Sequence, residues 1–107
     1  MEAVFVYITA PSPEEARRIG RALVEERLAA AVNILDGATS IFRWQGAVEQ
    51  ALETVVIAKT RADRFDAVAE RVRALHSYRC PCIVALPVEG DTGDYLGWIG
   101  AEASLEA

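Results

Sequence analysis

A chain of 107 residues is long enough for one compact domain with a single core and too short for two, so residues 1–107 are read as one domain. Hydrophobic residues make up 52% and charged ones 25%, which excludes a disordered, tail-like protein. The net charge of -5 offers no attraction to phosphate backbones or anionic lipid, so neither nucleic acid nor a membrane is an expected partner.

Val4 to Ile8 is β-branched and aromatic and predicts a buried first strand, ended by the Pro11 and Pro13 turn. It is too short for a secretory core and carries no basic leader. A helix follows with full start signals: Ser12 as N-cap, Pro13 at the first helical position, and Glu15 closing an S-x-x-E capping box. Ala16, Ile19, Leu23 and Val24 form its inward stripe, with Glu14, Arg17, Arg18, Arg21 and Glu25 toward solvent. Leu28 to Leu35 is small and apolar; after a turn or bulge at Asp36-Gly37, a second extended segment runs from Thr39 to Trp44. Gln45-Gly46 supplies a tight reversal, and Val48 to Thr60 is the partner strand of a long antiparallel hairpin with Trp44 at its tip. Thr60 is the expected cap of a second helix, with Asp63 complementing the dipole and Phe65, Val68, Ala69, Val72 and Leu75 at helical spacing. Cys82 to Val88 is the last strand, and Thr92 to Ala101 a short terminal helix beyond which the tail frays.

The order β-α-β-β-α-β plus a helix is the split βαβ pattern called ferredoxin-like, an α+β fold. Two crossover helices cover one face of its antiparallel sheet. Apolar residues on both sides of the strands, and a hairpin longer than one small domain requires, argue that the other face packs against further subunits.

Chemistry-bearing residues concentrate in His76-Ser77-Tyr78-Arg79-Cys80-Pro81-Cys82, between the second helix and the last strand. A disulfide across one proline is strained, so reduced thiols and a reducing, cytoplasmic compartment are expected. Imidazole nitrogen and thiolate sulfur suit Cu(I) or Zn(II), and extended backbone points Cys80 and Cys82 to one side, which makes His76, Cys80 and Cys82 the candidate metal ligands. The competing reading is a packing role: H-x3-C-x-C matches no strong zinc pattern, a fourth ligand is missing, and free cysteine packs as a small hydrophobe. A histidine at a helix C-terminus also serves the last carbonyls.

Lys59, ending an apolar strand, is either an anion-binding group or a lysine whose stem packs while its head reaches water. Asn33 interrupts an apolar strand and needs partners if buried. Trp44, Tyr78, Tyr95 and Trp98 either line a pocket or pack, Trp44 between subunits and Trp98 in docking the last helix. Glu49 and Glu53 lie on one side of a strand but too far apart for a strong acid-base pair.

The motifs Leu28-Ala29-Ala30-Ala31-Val32-Asn33-Ile34, Thr39-Ser40-Ile41-Phe42-Arg43-Trp44-Gln45-Gly46, Lys59-Thr60, His76-Ser77-Tyr78, Leu86-Pro87-Val88 and Gly90-Asp91 followed by Tyr95-Leu96-Gly97-Trp98 occur in that order. Together they resemble the CutA1 family of divalent-cation tolerance proteins over nearly the whole chain. The resemblance implies a ferredoxin-like fold, a homotrimer, a cytoplasmic location and a role in tolerance to copper and other divalent ions. Four positions depart from it. Ala31 stands where members commonly have cysteine, Cys82 follows Pro81 where they commonly have glutamate, and Ile8 and Leu75 stand where some have cysteine and a second histidine. Of that set of metal-binding groups only His76 remains.

The expected function is therefore a non-enzymatic trimer in divalent metal ion (copper) tolerance and homeostasis. Copper or another divalent cation is its candidate ligand, at an intersubunit pocket drawing on Asn33, Trp44, Lys59, His76, Tyr78, Tyr95 and Trp98. The alternative is a PII-like signalling trimer that binds a small anionic effector. A hydrolase of the acylphosphatase type would need a glycine-rich phosphate loop with an arginine after the first strand, and Thr9-Ala10-Pro11-Ser12-Pro13 has neither. One histidine and no serine elbow leave no nucleophile-base pair to assemble.

Overall fold

The first strand, β1 (Ala3–Ala10), runs through the middle of the molecule. Its alternation is clean: Val4, Val6, Ile8 and Ala10 are buried beneath the helices, whereas Tyr7 on the opposite face is exposed. The computed structural model describes residues 1–104.

Helix α1 (Pro13–Glu25) starts where its signals lie, with the Ser12 hydroxyl accepting from the Glu15 N–H at 3.2 Å. The capping box is not closed, because the Glu15 carboxylate is turned onto Ser77 instead. The inward stripe is Ala16, Ile19, Gly20 and Leu23, and Val24 is exposed. Gly20 takes the place expected of Val24 because the helix lies close on the sheet: a Cβ there would stand 2.9 Å from Val32 Cγ2. The helix ends in a Schellman pair, Arg27 N–H to Val24 O at 3.1 Å and Leu28 N–H to Leu23 O at 2.9 Å. Arg27 occupies the left-handed position at φ 60°, where glycine is usual.

Strands β2 (Ala31–Trp44) and β3 (Ala47–Arg61) form one long hairpin closed by Gln45 and Gly46, both at positive φ. The expected break at Asp36-Gly37 is a bulge within a continuous β2, between Leu35 and Ala38, with Gly37 at φ 77°. The sheet order is β2-β3-β1-β4 with antiparallel neighbours throughout, so β3 is inserted between β1 and β2 and the fold is the split βαβ.

Thr60 does not cap a helix. It lies in β3 opposite Val4, buried, with its hydroxyl donating to Leu28 O at 2.6 Å. A 3-10 turn over Ala62–Arg64 intervenes before α2 (Phe65–Leu75). Strand β4 (Ile83–Pro87) is short and leaves Cys82 outside it. Helix α3 (Tyr95–Glu102) begins later than Thr92 because the Asp91 carboxylate accepts from Gly93 N–H at 2.9 Å and Leu96 N–H at 2.7 Å, holding the intervening residues in a turn. Ile99, not Trp98, is the residue that docks it; Trp98 is exposed. The expected frayed tail is ordered through Ser104, whose carbonyl accepts from Arg27 Nε at 2.6 Å, and its remainder lies outside the described residues.

The core lies between the helices and one sheet face: Val4, Val6 and Ile8 meet Ile19, Leu23, Val56, Val68 and Val72. The opposite face is covered at its Lys59 end by α3 and near Glu53 by Tyr78 of the segment that follows α2. Tyr7, Leu35, Val84 and Leu86 on it are exposed, and the outer half of the hairpin leaves Ile41, Val48 and Leu52 at 67%, 65% and 71%. Among the described residues no helix is long and apolar enough to cross a membrane.

Candidate functional site

The junction from His76 to Cys82 draws side chains from four elements together. At the end of α2 the His76 backbone turns extended, its N–H still bonded to Val72 O at 2.8 Å, and this drops the imidazole inward where it is fully buried. Its Nε2 lies 2.7 Å from Thr9 O and its Nδ1 accepts the Tyr78 N–H at 3.0 Å. A carbonyl only accepts and an amide only donates, so these partners select the neutral tautomer with the proton on Nε2. His76 thus ties the end of α2 to β1 and has no free lone pair for a metal.

Glu15 reaches the same place from α1. Its Oε2 accepts from Ser77 N–H at 3.0 Å and Ser77 Oγ–H at 3.1 Å, and stands 3.4 Å from His76 Nδ1. Burial opposes ionisation of this carboxyl, but the two Ser77 bonds, with the charge of Arg18, outweigh it and hold Glu15 below the usual carboxylate range. On the other side of His76 the Tyr78 ring stacks at 4.9 Å, tilted by 45°, and its hydroxyl donates to Glu53 Oε2 at 2.8 Å. Burial, then the hydrogen bond and charge of Glu53, then the charge of Glu15, push the Tyr78 phenol up to about 12. Burial and the Glu53 charge likewise push the Cys82 thiol up.

Outside this network lies a concavity of about 810 Å³. The outer hairpin (Phe42, Trp44, Glu53) forms one wall, the junction (Tyr78, Cys80, Cys82) the other, and Tyr7 and Thr9 of β1 the floor. A smaller one of about 340 Å³ adjoins it, where Arg73 and Arg79 flank Cys80.

Within one chain the residues expected in a single pocket fall into separate groups. Trp44, Tyr78, Cys80 and Cys82 line the large concavity, and His76 is buried behind Tyr78. Lys59, Tyr95 and Trp98 form a second group: the Lys59 ammonium donates to the Tyr95 hydroxyl at 3.1 Å and lies 5.2 and 5.6 Å from the Tyr95 and Phe5 ring centres. Tyr95 in turn contacts Trp98 at 5.5 Å. Lys59 pairs with Phe5 and the His76 contact is Thr9, four strand residues or roughly 13 Å away. Asn33, paired with Ile57, is exposed on the uncovered sheet face and belongs to neither. The expected convergence of His76, Cys80 and Cys82 is not formed. Among the described residues no group of three or more His, Cys, Asp or Glu side chains is placed to hold a metal ion, because the imidazole is already committed to backbone partners.

Two contributors escaped sequence reasoning. Glu15 reads as half of a capping box and Glu53 only as a poor acid-base partner for Glu49, although a charge interrupting the alternation just before Thr54-Val55-Val56 is a signal that it has a buried partner.

A split βαβ chain with a long apolar hairpin, an uncovered sheet face and a helix-to-strand junction built on His76 and Tyr78 defines a narrow structural class. The chain belongs to the CutA1 divalent ion tolerance protein family, whose model matches residues 4–102. It is 54% identical over 99 residues to the divalent-cation tolerance protein CutA of Thermus thermophilus, covering 92% of this chain and 95% of that protein. With the protein of the same description from Archaeoglobus fulgidus it shares 50% over 95 residues, 89% of this chain and 92% of the other. Among solved structures, the periplasmic divalent cation tolerance protein CutA from A. fulgidus superposes with a TM-score of 0.92 at 46% identity, over 95% of this chain and 99% of that one. The T. thermophilus Cut A1 structure gives 0.91 at 52%, over 95% and 98%.

Proposed function

We propose that this protein acts in tolerance to divalent metal ions as a non-enzymatic homotrimer, binding copper or another divalent cation in a pocket completed between subunits. The observation that carries the reading is the unpartnered apolar surface: Tyr7, Leu35, Val84 and Leu86 on one sheet face, and the outer hairpin with Ile41, Val48 and Leu52 about two-thirds exposed. A soluble monomer rarely leaves such a contiguous apolar area in water, and further copies of the chain, presenting the same need, are the natural cover. The large concavity is walled on one side by that hairpin, so a neighbouring copy seated on the hairpin also reshapes the site. A cytoplasmic location belongs to the same reading and is supported by two unpaired thiols, one of them exposed.

Sedimentation and light scattering test the assembly: the mass is expected at three times the 11.6 kDa of the chain, and Leu52→Asp with Ile41→Asp is expected to lower it. Thermal stability followed against Cu(II) and Zn(II) tests the ligand, with a rise that saturates as the expected result. A monomer whose melting is indifferent to both ions ends the proposal.

The second reading, a signalling trimer for a small anionic effector, is favoured by Lys59. Its ammonium has the Tyr95 hydroxyl for a partner and, among the described residues, no ion-paired carboxylate. Here Lys59→Met abolishes stabilisation by an anionic metabolite while the metals have no effect.

A further inference from the structure

Cys80 and Cys82 are the chemistry that the hydrogen-bonded network leaves unused. Both are unpaired thiols, and both line the large concavity. The chain bends at Arg79 and Cys80 and brings both cysteines to the wall of that one concavity. The Cys82 sulfur lies 3.9 Å from Tyr7 O, over the β1 floor of the concavity. The chain's one imidazole is engaged, and the carboxylates that share the concavity, Glu49 and Glu53, are hard oxygen donors. Both nitrogens of His76 are taken by Thr9 and Tyr78, and Glu53 holds the Tyr78 hydroxyl.

From this donor set, resting on the reading of the chain as a metal-tolerance protein, we propose that Cys80 and Cys82 form a two-coordinate site for a soft monovalent cation, Cu(I). Zinc asks for four ligands in tetrahedral array, and among the described residues no group of three or more His, Cys, Asp or Glu side chains is placed to supply them. Soft thiolates select Cu(I), which accepts low coordination. On binding, each thiol releases its proton to solvent and each sulfur forms one bond to the metal. The copper enters already monovalent, so no electron is transferred. The resulting bis-thiolate centre carries one negative charge; Arg43 and Arg79 on the same wall, with Arg73 beside Cys80, offset it and the carboxylates of Glu49 and Glu53. Tyr7, Trp44 and Tyr78 line the same concavity.

The test is anaerobic competition of the reduced, intact protein against a coloured Cu(I) chelator, with X-ray absorption on the loaded sample. One Cu(I) per chain with sulfur as its only ligand is expected. Cys80→Ser and Cys82→Ser are each expected to weaken binding by roughly 100-fold or more. Cys80 is exposed, so its replacement leaves the fold intact and keeps the test decisive even if Cys82→Ser perturbs packing. Nitrogen ligation, or unchanged affinity in the double serine variant, overturns the site. A parallel titration with Cu(II) and Zn(II) separates the two proposals. Divalent binding that survives in the double variant while Cu(I) fails removes only this site, and thiol-dependent Cu(I) capture with no divalent response upholds it while removing the other.

Discussion

Replacing Glu15 tests whether the junction is organised by one buried carboxylate. Both Ser77 bonds end on the same oxygen, Oε2, at 3.0 and 3.1 Å. A glutamine can therefore keep both by presenting its carbonyl oxygen there, and loses only the charge assistance, about 1 kcal/mol. Alanine loses both bonds. Hydrogen bonds to a charged acceptor contribute about 1.5–3 kcal/mol each, but Ser77 is itself exposed, so water recovers part, and about 2 kcal/mol in total is expected. The sign with pH follows from the lowered carboxyl of Glu15. A depressed folded value means the stabilisation is complete above the ordinary glutamate value and is lost as pH falls below about 4. Urea unfolding at fixed chain concentration, repeated from neutral pH down to about pH 3, measures all of this. The margin between wild type and Glu15→Gln should close on the acid side. An alanine variant as stable as wild type, or an acid limb that is the same in Glu15→Gln, would refute the reasoning.

Tyr78→Phe leaves the Glu53 carboxylate, 8% exposed, without its phenol partner and should cost about 1–3 kcal/mol, less in a Glu53→Leu background, which a double-mutant cycle reads out. The phenol, raised to about 12, contributes stability that is whole below its ordinary value of about 10 and lost as pH rises through about 12; in Glu53→Gln the ultraviolet titration of this tyrosine should move down. Gly20→Ala sets a helix-propensity gain of about 1 kcal/mol against a Cβ 2.9 Å from the stiff, β-branched Val32, where overpacking costs about 1–3 kcal/mol. Net destabilisation by chemical denaturation is expected, and a more stable variant would show that α1 can lift from the sheet without loss.

Local signals were readable and distant ones were not. Ser12 and Pro13 located the start of α1, and Gln45-Gly46 the hairpin turn, because the partners that decide them lie within a few residues. Thr60 was misassigned because a hydroxyl that caps a helix and one that bonds a carbonyl in a neighbouring segment are the same residue type; its acceptor, Leu28 O, lies 32 positions away. Val24 outscored Gly20 on hydrophobicity, yet the depth at which a helix sits is set by the sheet below it. His76 stands out in the sequence, but not its role as a tie between α2 and β1, since Thr9 O is 67 positions distant and a backbone carbonyl has no signature in sequence. The thiols carried the reverse problem: their identity was plain, while the concavity they share is built by a hairpin far along the chain.

Helix α3 has no basic residue in its last turn, where unpaired carbonyls call for donors. The donors come from elsewhere: Arg27 gives Nη2 to Ala101 O at 3.1 Å and Nε to Ser104 O at 2.6 Å, and Arg61 gives Nη1 to Gly100 O at 3.4 Å. The guanidinium that does most of this hangs from a left-handed backbone position, so the termination of the first helix and that of the last are a single event. In the language of folding units, α3 is a borrower. The donors for its last carbonyls come from the end of α1 and the end of β3, so a change at the Arg27 turn is felt at the Lys59 end of the sheet that α3 covers.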